Sequence, residues 1–187
     1  MGRMPRVVTS EEYYHITQRG NNKNEVFHDA GDHLCFKHIV RKYLNKYHVQ
    51  LYHYCFMPNH VHLLLKVSLG GDLSKAMQCI HQRYTVHCKK KYGFVGSLWQ
   101  GRFYSIPIEQ EEYLLQCARY IERNPVEAGI VLHPALYPYH SYHYYAEGKA
   151  DALISENVLY RQFGAQPWQR QEKYRDFVTG ERAVLRV

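Results

Sequence analysis

The chain lacks the features that mark several large classes of protein. No stretch approaches the roughly 18 consecutive apolar residues that a membrane span needs, and the first residues, Met1 to Arg6, lack the apolar core of a signal peptide. The five cysteines are odd in number and no two form a CxxC pair, which argues against a disulfide framework or a four-cysteine zinc site. These absences predict a protein of the cytoplasm whose thiols are free, with no membrane partner.

Acidic residues are in deficit. The 187 residues include 24 Lys and Arg but only 17 Asp and Glu, for a formal net charge of +7. A basic surface favours a polyanion, which could be DNA, RNA or an anionic membrane. The eighteen tyrosines are either core residues or platforms on which bases stack. The length suits one domain with room for an appendage.

Turn residues and hydrophobic patterns predict four strands and three helices in the first two thirds of the chain. The strands are predicted at residues 13–19, 49–56, 60–67 and 102–108, and the helices at 29–46, 72–92 and 111–124. The order β-α-β-β-α-β-α predicts an α+β protein with a ferredoxin-like (split βαβ) antiparallel sheet and helices packed on one face. A C-terminal helical extension of unassigned role, residues 146–187, would follow a catalytic domain of residues 1–145.

Two histidines separated by one residue begin the third predicted strand. His60 and His62 follow the tight turn Met57-Pro58-Asn59. Side chains two apart in a strand point to the same face of the sheet. The two imidazoles should therefore project together, as two metal-ligating histidines must.

The third predicted helix brings a tyrosine and an amide onto one face. Leu114, Ala118 and Ile121 form the core stripe at about 100° per residue. Tyr120 and Asn124 are four residues apart and lie on a neighbouring stripe. If this helix packs beside the third strand, both side chains can reach the histidine pair.

The predicted site combines His60, His62 and Asn124 around a divalent cation with Tyr120 beside it. Such a metal would stabilise charge on a phosphate, and the tyrosine oxygen could attack phosphorus to form a covalent link. Imidazole ligands favour Mn²⁺ over Mg²⁺, and weak binding is expected without the charge of a DNA phosphate. Tyr113 is the alternative nucleophile, about 10 Å from Tyr120 along the helix, but it has no ligand partner four residues on.

Four segments, taken together, resemble the REP-associated tyrosine transposases, a branch of the single-tyrosine HUH transposases of the IS200-like type. They occur in the family's order and lie within residues 5–145. The segments are His15–Asn22, Met57–Leu64, Leu98–Phe103 and Arg119–Val126.

This resemblance implies a ferredoxin-like fold and a metal-dependent nuclease and strand transferase for DNA transposition and recombination. Its substrate would be single-stranded DNA with hairpins, such as repetitive extragenic palindromes (REPs) in the nucleoid. His60 and His62 match the family's histidine pair, Tyr120 its nucleophile and Asn124 its third ligand. Attack would leave a 5′-phosphotyrosine and a free 3′-hydroxyl. Related transposases work as dimers, and this branch is expected to include monomers.

Six further residues are predicted to contact DNA. Arg3, Arg6 and Arg19 could grip the foot of a hairpin, Arg102 could hold a phosphate, and Trp99 or Phe103 could stack a base. The alternative for Trp99 is a buried anchor of its loop.

Two other functions remain open from the sequence. The chain could bind DNA or RNA hairpins without catalysis, or it could be a zinc hydrolase that uses His60, His62 and a third ligand such as His53 or Cys55.

Overall fold

The computed structural model describes residue 9 and residues 11–180 of the chain. These residues form four strands and five α-helices, with short 3₁₀ turns at 21–23, 134–136 and 158–163. The bounds are β1 Tyr13–Arg19, α1 Ala30–Lys46, β2 Val49–Met57, β3 His60–Val67, α2 Leu73–Tyr92, β4 Tyr104–Ile108, α3 Glu111–Glu127, α4 Tyr142–Glu147 and α5 Pro167–Thr179.

The four strands form one antiparallel sheet in the order β2-β3-β1-β4. This order confirms the predicted α+β, ferredoxin-like fold. The hairpin of β2 and β3 closes at Pro58 and Asn59, as predicted. Strand β4 lies at the edge of the sheet and begins two residues later than the sequence indicates.

Aspartate caps begin the two long helices that follow β1 and β3. The Asp29 carboxylate accepts a hydrogen bond from the Asp32 backbone N–H at 2.9 Å, and Asp72 accepts one from Lys75 at 2.8 Å. Each cap satisfies a backbone donor that has no partner within its helix. Helix α2 ends at Gly93, whose φ of 65° is left-handed and favours glycine.

Helices cover both faces of the sheet, so the prediction of a single covered face is wrong. Helices α1 and α2 pack on the face that carries Ile16, Phe56 and Leu63. Helix α3 packs on the opposite face, against Cys55 and Leu64. The strands permit this because β2 and β3 are apolar at successive positions and not only at alternate ones, which is typical of strands buried on both sides.

Two local predictions also need correction. The sequence pattern of α1 predicts Leu34, Ile39 and Leu44 on its buried side. Leu34 is 70% exposed, whereas Leu44 is buried as predicted, together with Phe36 and Val40. Pro125 lies inside α3 and not beyond its end. Pro125 takes its own N–H out of the helical hydrogen bonds, but the helix continues to Glu127, and the Asn124 carbonyl accepts from the Ala128 N–H at 2.9 Å.

The C-terminal segment packs against the sheet and α3. Tyr142 and Tyr145 of α4 share a buried cluster with Tyr160 and with Tyr174 and Val178 of α5. The tyrosines of this region are therefore packing residues. The proposed division at residue 145/146 crosses this cluster, so we retain it as a proposal about function. In the part of the chain that the structure describes, no helix has the length and apolarity to cross a membrane.

One buried histidine should make the stability of the fold depend on pH. His140 is buried, its Nε2 bonds the Pro134 carbonyl at 2.9 Å, and burial lowers its pKa from 6.5 to about 4. The unfolded chain therefore takes up a proton that the folded chain does not. This contribution to stability is complete above pH 6.5 and is lost as the pH falls toward 4.

We predict that His140→Gln, which keeps a donor for Pro134 but does not titrate, weakens this pH dependence. The loss of unfolding free energy between pH 7 and pH 4 should be smaller than in the wild type by about 3 kcal/mol, measured by urea unfolding. His38→Gln, at an exposed position of α1, is the matched control. Equal acid sensitivity of His140→Gln and the wild type would contradict the assignment.

Candidate active site on the α3 face of the sheet

Four polar side chains of β1 and β3 lie together on the face that α3 covers. The antiparallel register places Thr17 opposite His62 and Arg19 opposite His60. Paired residues point to the same side of a sheet, and His15 is two residues from Thr17. The face therefore presents His60 and His62 together, as the sequence predicts, and adds His15 and Thr17.

The turn before β3 determines which ring nitrogen of His60 carries the proton. The Asn59 side-chain amide donates to the Lys23 carbonyl at 3.1 Å, which leaves its Oδ1 to accept from His60 Nδ1 at 2.6 Å. Because Nδ1 carries the proton of the neutral ring, Nε2 is left with a lone pair. His60 Nε2 lies 3.4 Å from Oδ1 of Asn124, so two atoms that each offer a lone pair face each other. A cation between them would suit both.

In His62, likewise, one ring nitrogen has polar neighbours and the other is available to a metal. Its Nδ1 lies 3.0 Å from His15 Nε2 and 3.3 Å from Thr17 Oγ1. Its Nε2 is buried and has no hydrogen-bond partner among the described residues. Burial, above all, lowers the pKa values of both His60 and His62, so the rings are neutral at pH 7. Neutral imidazoles with one nitrogen anchored and the other free are what a metal requires.

Tyr120 lies beside the histidines, as predicted. Its ring meets His62 edge-on at 5.6 Å between centroids and His15 at 6.0 Å. The side chain is 47% exposed, so its hydroxyl is accessible to a substrate. Tyr120 and Asn124 stack on one face of α3, while Leu114, Ala118 and Ile121 fill the core below.

Two arginines of α3 attach this helix to α5. Arg119 Nε donates to the Phe177 carbonyl at 2.8 Å, and its Nη2 donates to the Gly180 carbonyl. Arg123 Nη1 donates to the Val178 carbonyl at 3.1 Å. The last carbonyls of a helix have no partners within it, so these guanidinium groups satisfy the end of α5 and fix α3 at the same time.

A buried carboxylate attaches the same helix to the sheet. Glu122 accepts from Ser141 Oγ at 2.6 Å, Tyr174 OH at 2.9 Å and His53 Nδ1 at 3.0 Å. Glu122 and His53 are both fully buried, and Asn157 Nδ2 lies 3.4 Å from His53 Nε2. This network joins α3 to β2, to the N-terminal cap of α4 and to α5.

The zinc-hydrolase alternative loses its proposed third ligand in this arrangement. Both ring nitrogens of His53 are engaged, by Glu122 and Asn157. Burial raises the pKa of the Cys55 thiol well above its usual value, so a metal-binding thiolate is disfavoured. Within residue 9 and residues 11–180, no group of three or more His, Cys, Asp or Glu is arranged to hold a metal. The predicted site is not such a group, because it consists of two histidines and the amide of Asn124.

The six residues predicted to contact DNA fall in different places. Arg19 is exposed next to His60, and Arg102 is exposed two residues before β4. Trp99 and Phe103 are each 6% exposed and belong to the core, which supports the anchoring alternative for Trp99. Arg3 and Arg6 lie outside the described residues.

Sequence reasoning did not select His15 and Thr17 as site residues, although both are in a segment that carries the family resemblance. Their alternation with the buried Ile16 places both on one face of β1. Only the register of β1 with β3 shows that this face is the one with His62.

Comparison with known protein families shows where this chain belongs. The sequence profile of the family described as "Transposase IS200 like" matches residues 8–124, which is more than half of the chain, and the chain therefore belongs to the IS200-like transposase family. No curated protein sequence matches it.

A solved structure shows the same fold. A REP-associated tyrosine transposase bound to a REP hairpin superposes with a TM-score of 0.68 at 19% identity, over 84% of this chain and 93% of that one. A protein of Deinococcus radiodurans R1 assigned as a transposase is also 19% identical, over 66% of this chain and 97% of its own, with a TM-score of 0.43. That score is too low to carry an argument.

We predict that Glu122→Ala destabilises the protein by about 3–5 kcal/mol, because it leaves His53, Ser141 and Tyr174 without their common acceptor in the interior. Urea unfolding at pH 7 measures this loss. Glu127→Ala, on the same helix, removes an exposed ion pair with Arg123 and should cost less than about 1 kcal/mol. Similar losses in the two variants would show that the buried network does not hold α3.

Proposed function

We propose that this protein cleaves and rejoins single-stranded DNA near hairpins, through a covalent bond between Tyr120 and a 5′-phosphate. Membership of the IS200-like transposase family supports action on DNA. The observation that carries the proposal is a cluster of three side chains beside a half-exposed tyrosine. His60 Nε2 lies 3.4 Å from Asn124 Oδ1, the His60 and His62 ring centroids are 4.9 Å apart, and the Tyr120 ring lies 5.6 Å from that of His62. All of these groups come from one chain, which supports a site that works in cis and a protein that can act as a monomer.

Tyr120 is the nucleophile of the proposed reaction. The Tyr120 oxygen bonds to phosphorus and gives up its proton to water, which reaches its exposed side. The bond from phosphorus to the 3′-oxygen breaks, and that oxygen takes up a proton to become a free 3′-hydroxyl. The tyrosine phosphodiester conserves the energy of the broken bond, so a 3′-hydroxyl can reverse the step without ATP.

The residues present fit a divalent metal, Mg²⁺ or Mn²⁺. His60, His62 and Asn124 would hold it, and His15 and Thr17 would orient His62 through its Nδ1. When bound, the metal would supply positive charge against the oxygens of the phosphate. None of the three ligands is charged, so we expect weak metal binding until a DNA phosphate adds its negative charge.

The proposed partner is DNA that carries REP-like palindromes. The resemblance of four sequence segments to REP-associated transposases supports this choice, and the solved relative with the same fold was bound to a REP hairpin. Arg19, exposed beside His60, is placed to contact a phosphate next to the site. Such a substrate implies action in the cytoplasm, at the nucleoid.

We predict that Tyr120→Phe abolishes the covalent adduct and leaves hairpin binding near the wild-type level, since only the attacking oxygen is lost. Labelled hairpins from palindromes flanking the gene, incubated with Mn²⁺ or Mg²⁺, would show the adduct on a denaturing gel. Tyr113→Phe, on the same face of α3, should still form it. An adduct that survives in Tyr120→Phe but not in Tyr113→Phe would identify the other tyrosine as the nucleophile.

Absence of an adduct with every hairpin, together with a retained gel shift, would favour a non-catalytic hairpin-binding protein.

Metal binding can be tested apart from cleavage. We predict that Mn²⁺ binds the wild type weakly and more tightly once hairpin DNA is present, by titration with electron paramagnetic resonance detection. His62→Ala should remove this binding, and His15→Phe, which deprives His62 Nδ1 of a partner, should weaken it about 10- to 100-fold. His38→Ala is the control for histidines outside the site. Unchanged Mn²⁺ binding in His62→Ala would refute the ligand assignment.

A further inference from the structure

An open trough runs beside Tyr120, between the edge strand β4 and α3. Ile106 of β4 pairs with His15 in the sheet, and Tyr104 pairs with Thr17. The catalytic face therefore continues from the histidines across β1 to β4. At this edge Tyr104 and Ile106 remain exposed.

Helix α3 forms the other wall of the trough. Tyr113, Gln116 and Tyr120 recur at the three- and four-residue spacing of one helix face, and all three line the same cavity as His15, Ile106 and Pro107. The cavity has a volume of about 640 Å³, within the roughly 300–1,000 Å³ of small-molecule pockets. Tyr113 is 54% exposed, so much of its side chain is accessible for stacking.

The charge of the residues that line the trough favours the base of a nucleotide over its phosphate. Among the described residues that line the trough, none is lysine or arginine, and Glu109 contributes a carboxylate. A phosphate would be disfavoured there. Apolar walls of Ile106 and Pro107, an aromatic ring, and the amides of Gln110 and Gln116 instead match a base, which has two flat apolar faces and a polar edge.

We propose that this trough binds the unpaired base of a nucleotide adjacent to the scissile phosphate, stacked on Tyr113. The inference rests on the proposed function, because Tyr120 sets where the phosphate must lie. A strand that passes the Tyr120 hydroxyl enters the trough within one nucleotide. Stacking tolerates any base, so Tyr113 orients the strand at the nucleophile without specifying its sequence.

The test is a double-mutant cycle between Tyr113 and the base. The probe is a hairpin with short unpaired flanks, copied from a palindrome beside the gene, with single abasic sites placed along the flanks. Fluorescence anisotropy in the Tyr120→Phe background measures binding without cleavage. Tyr113→Ala should weaken binding of the intact probe about 5- to 100-fold, the range expected for one stacked base. Tyr113→Phe should restore it.

Abasic substitution at one flank position should weaken binding to a similar degree, and Tyr113→Ala should then add little. Trp168→Ala, at an exposed aromatic residue of α5, is the control. Unaltered binding by Tyr113→Ala would overturn the inference. So would independent effects, in which the loss of affinity from Tyr113→Ala multiplies the loss from the abasic site at every flank position. A probe that the protein does not bind would also overturn it. Failure of the proposed function would appear differently, as absence of a wild-type adduct in the cleavage assay, whatever the cycle shows.

Discussion

The carboxylate of Glu122 accepts three hydrogen bonds in a place that water does not reach. A buried carboxylate that loses such partners costs several kcal/mol, so α3 can adopt only the rotation that keeps them. In that rotation Ile121 points into the core, and Tyr120 and Asn124 point at the histidines. A helix turned by one residue, about 100°, would separate the tyrosine from the histidine pair.

Every residue from Arg119 to Asn124 has a separate task. Arg119 and Arg123 bind the last carbonyls of α5, while Glu122 binds donors from β2, α4 and α5. The C-terminal segment is thus part of what orients Tyr120, the proposed nucleophile. The sequence alone left its role unassigned, because its partners on α3 lie more than 50 residues away in the chain.

Local patterns were enough to predict most of the fold and which of the candidate site residues share a face. Strand alternation predicted that His60 and His62 share a face, and helical spacing predicted that Tyr120 and Asn124 do. What local patterns could not supply was which elements meet. His15 and Thr17 reach His62 through strand register, and Leu34 faces solvent because the tertiary arrangement favours Phe36 and Val40 for the core. The covering of both sheet faces by helices likewise depends on long-range packing.

The position of α5 in the chain also sets an order of events during synthesis. Chains emerge from the ribosome N-terminus first, and their parts begin to fold as they emerge. The histidine strand and α3 are complete about 50 residues before Tyr174 and the carbonyls of 177–180 exist. Until then, Glu122 and the two arginines lack their partners from α5. A nascent chain therefore carries Tyr120 on a helix that is not yet fixed, and we expect the proposed cleavage activity only once α5 has been synthesised.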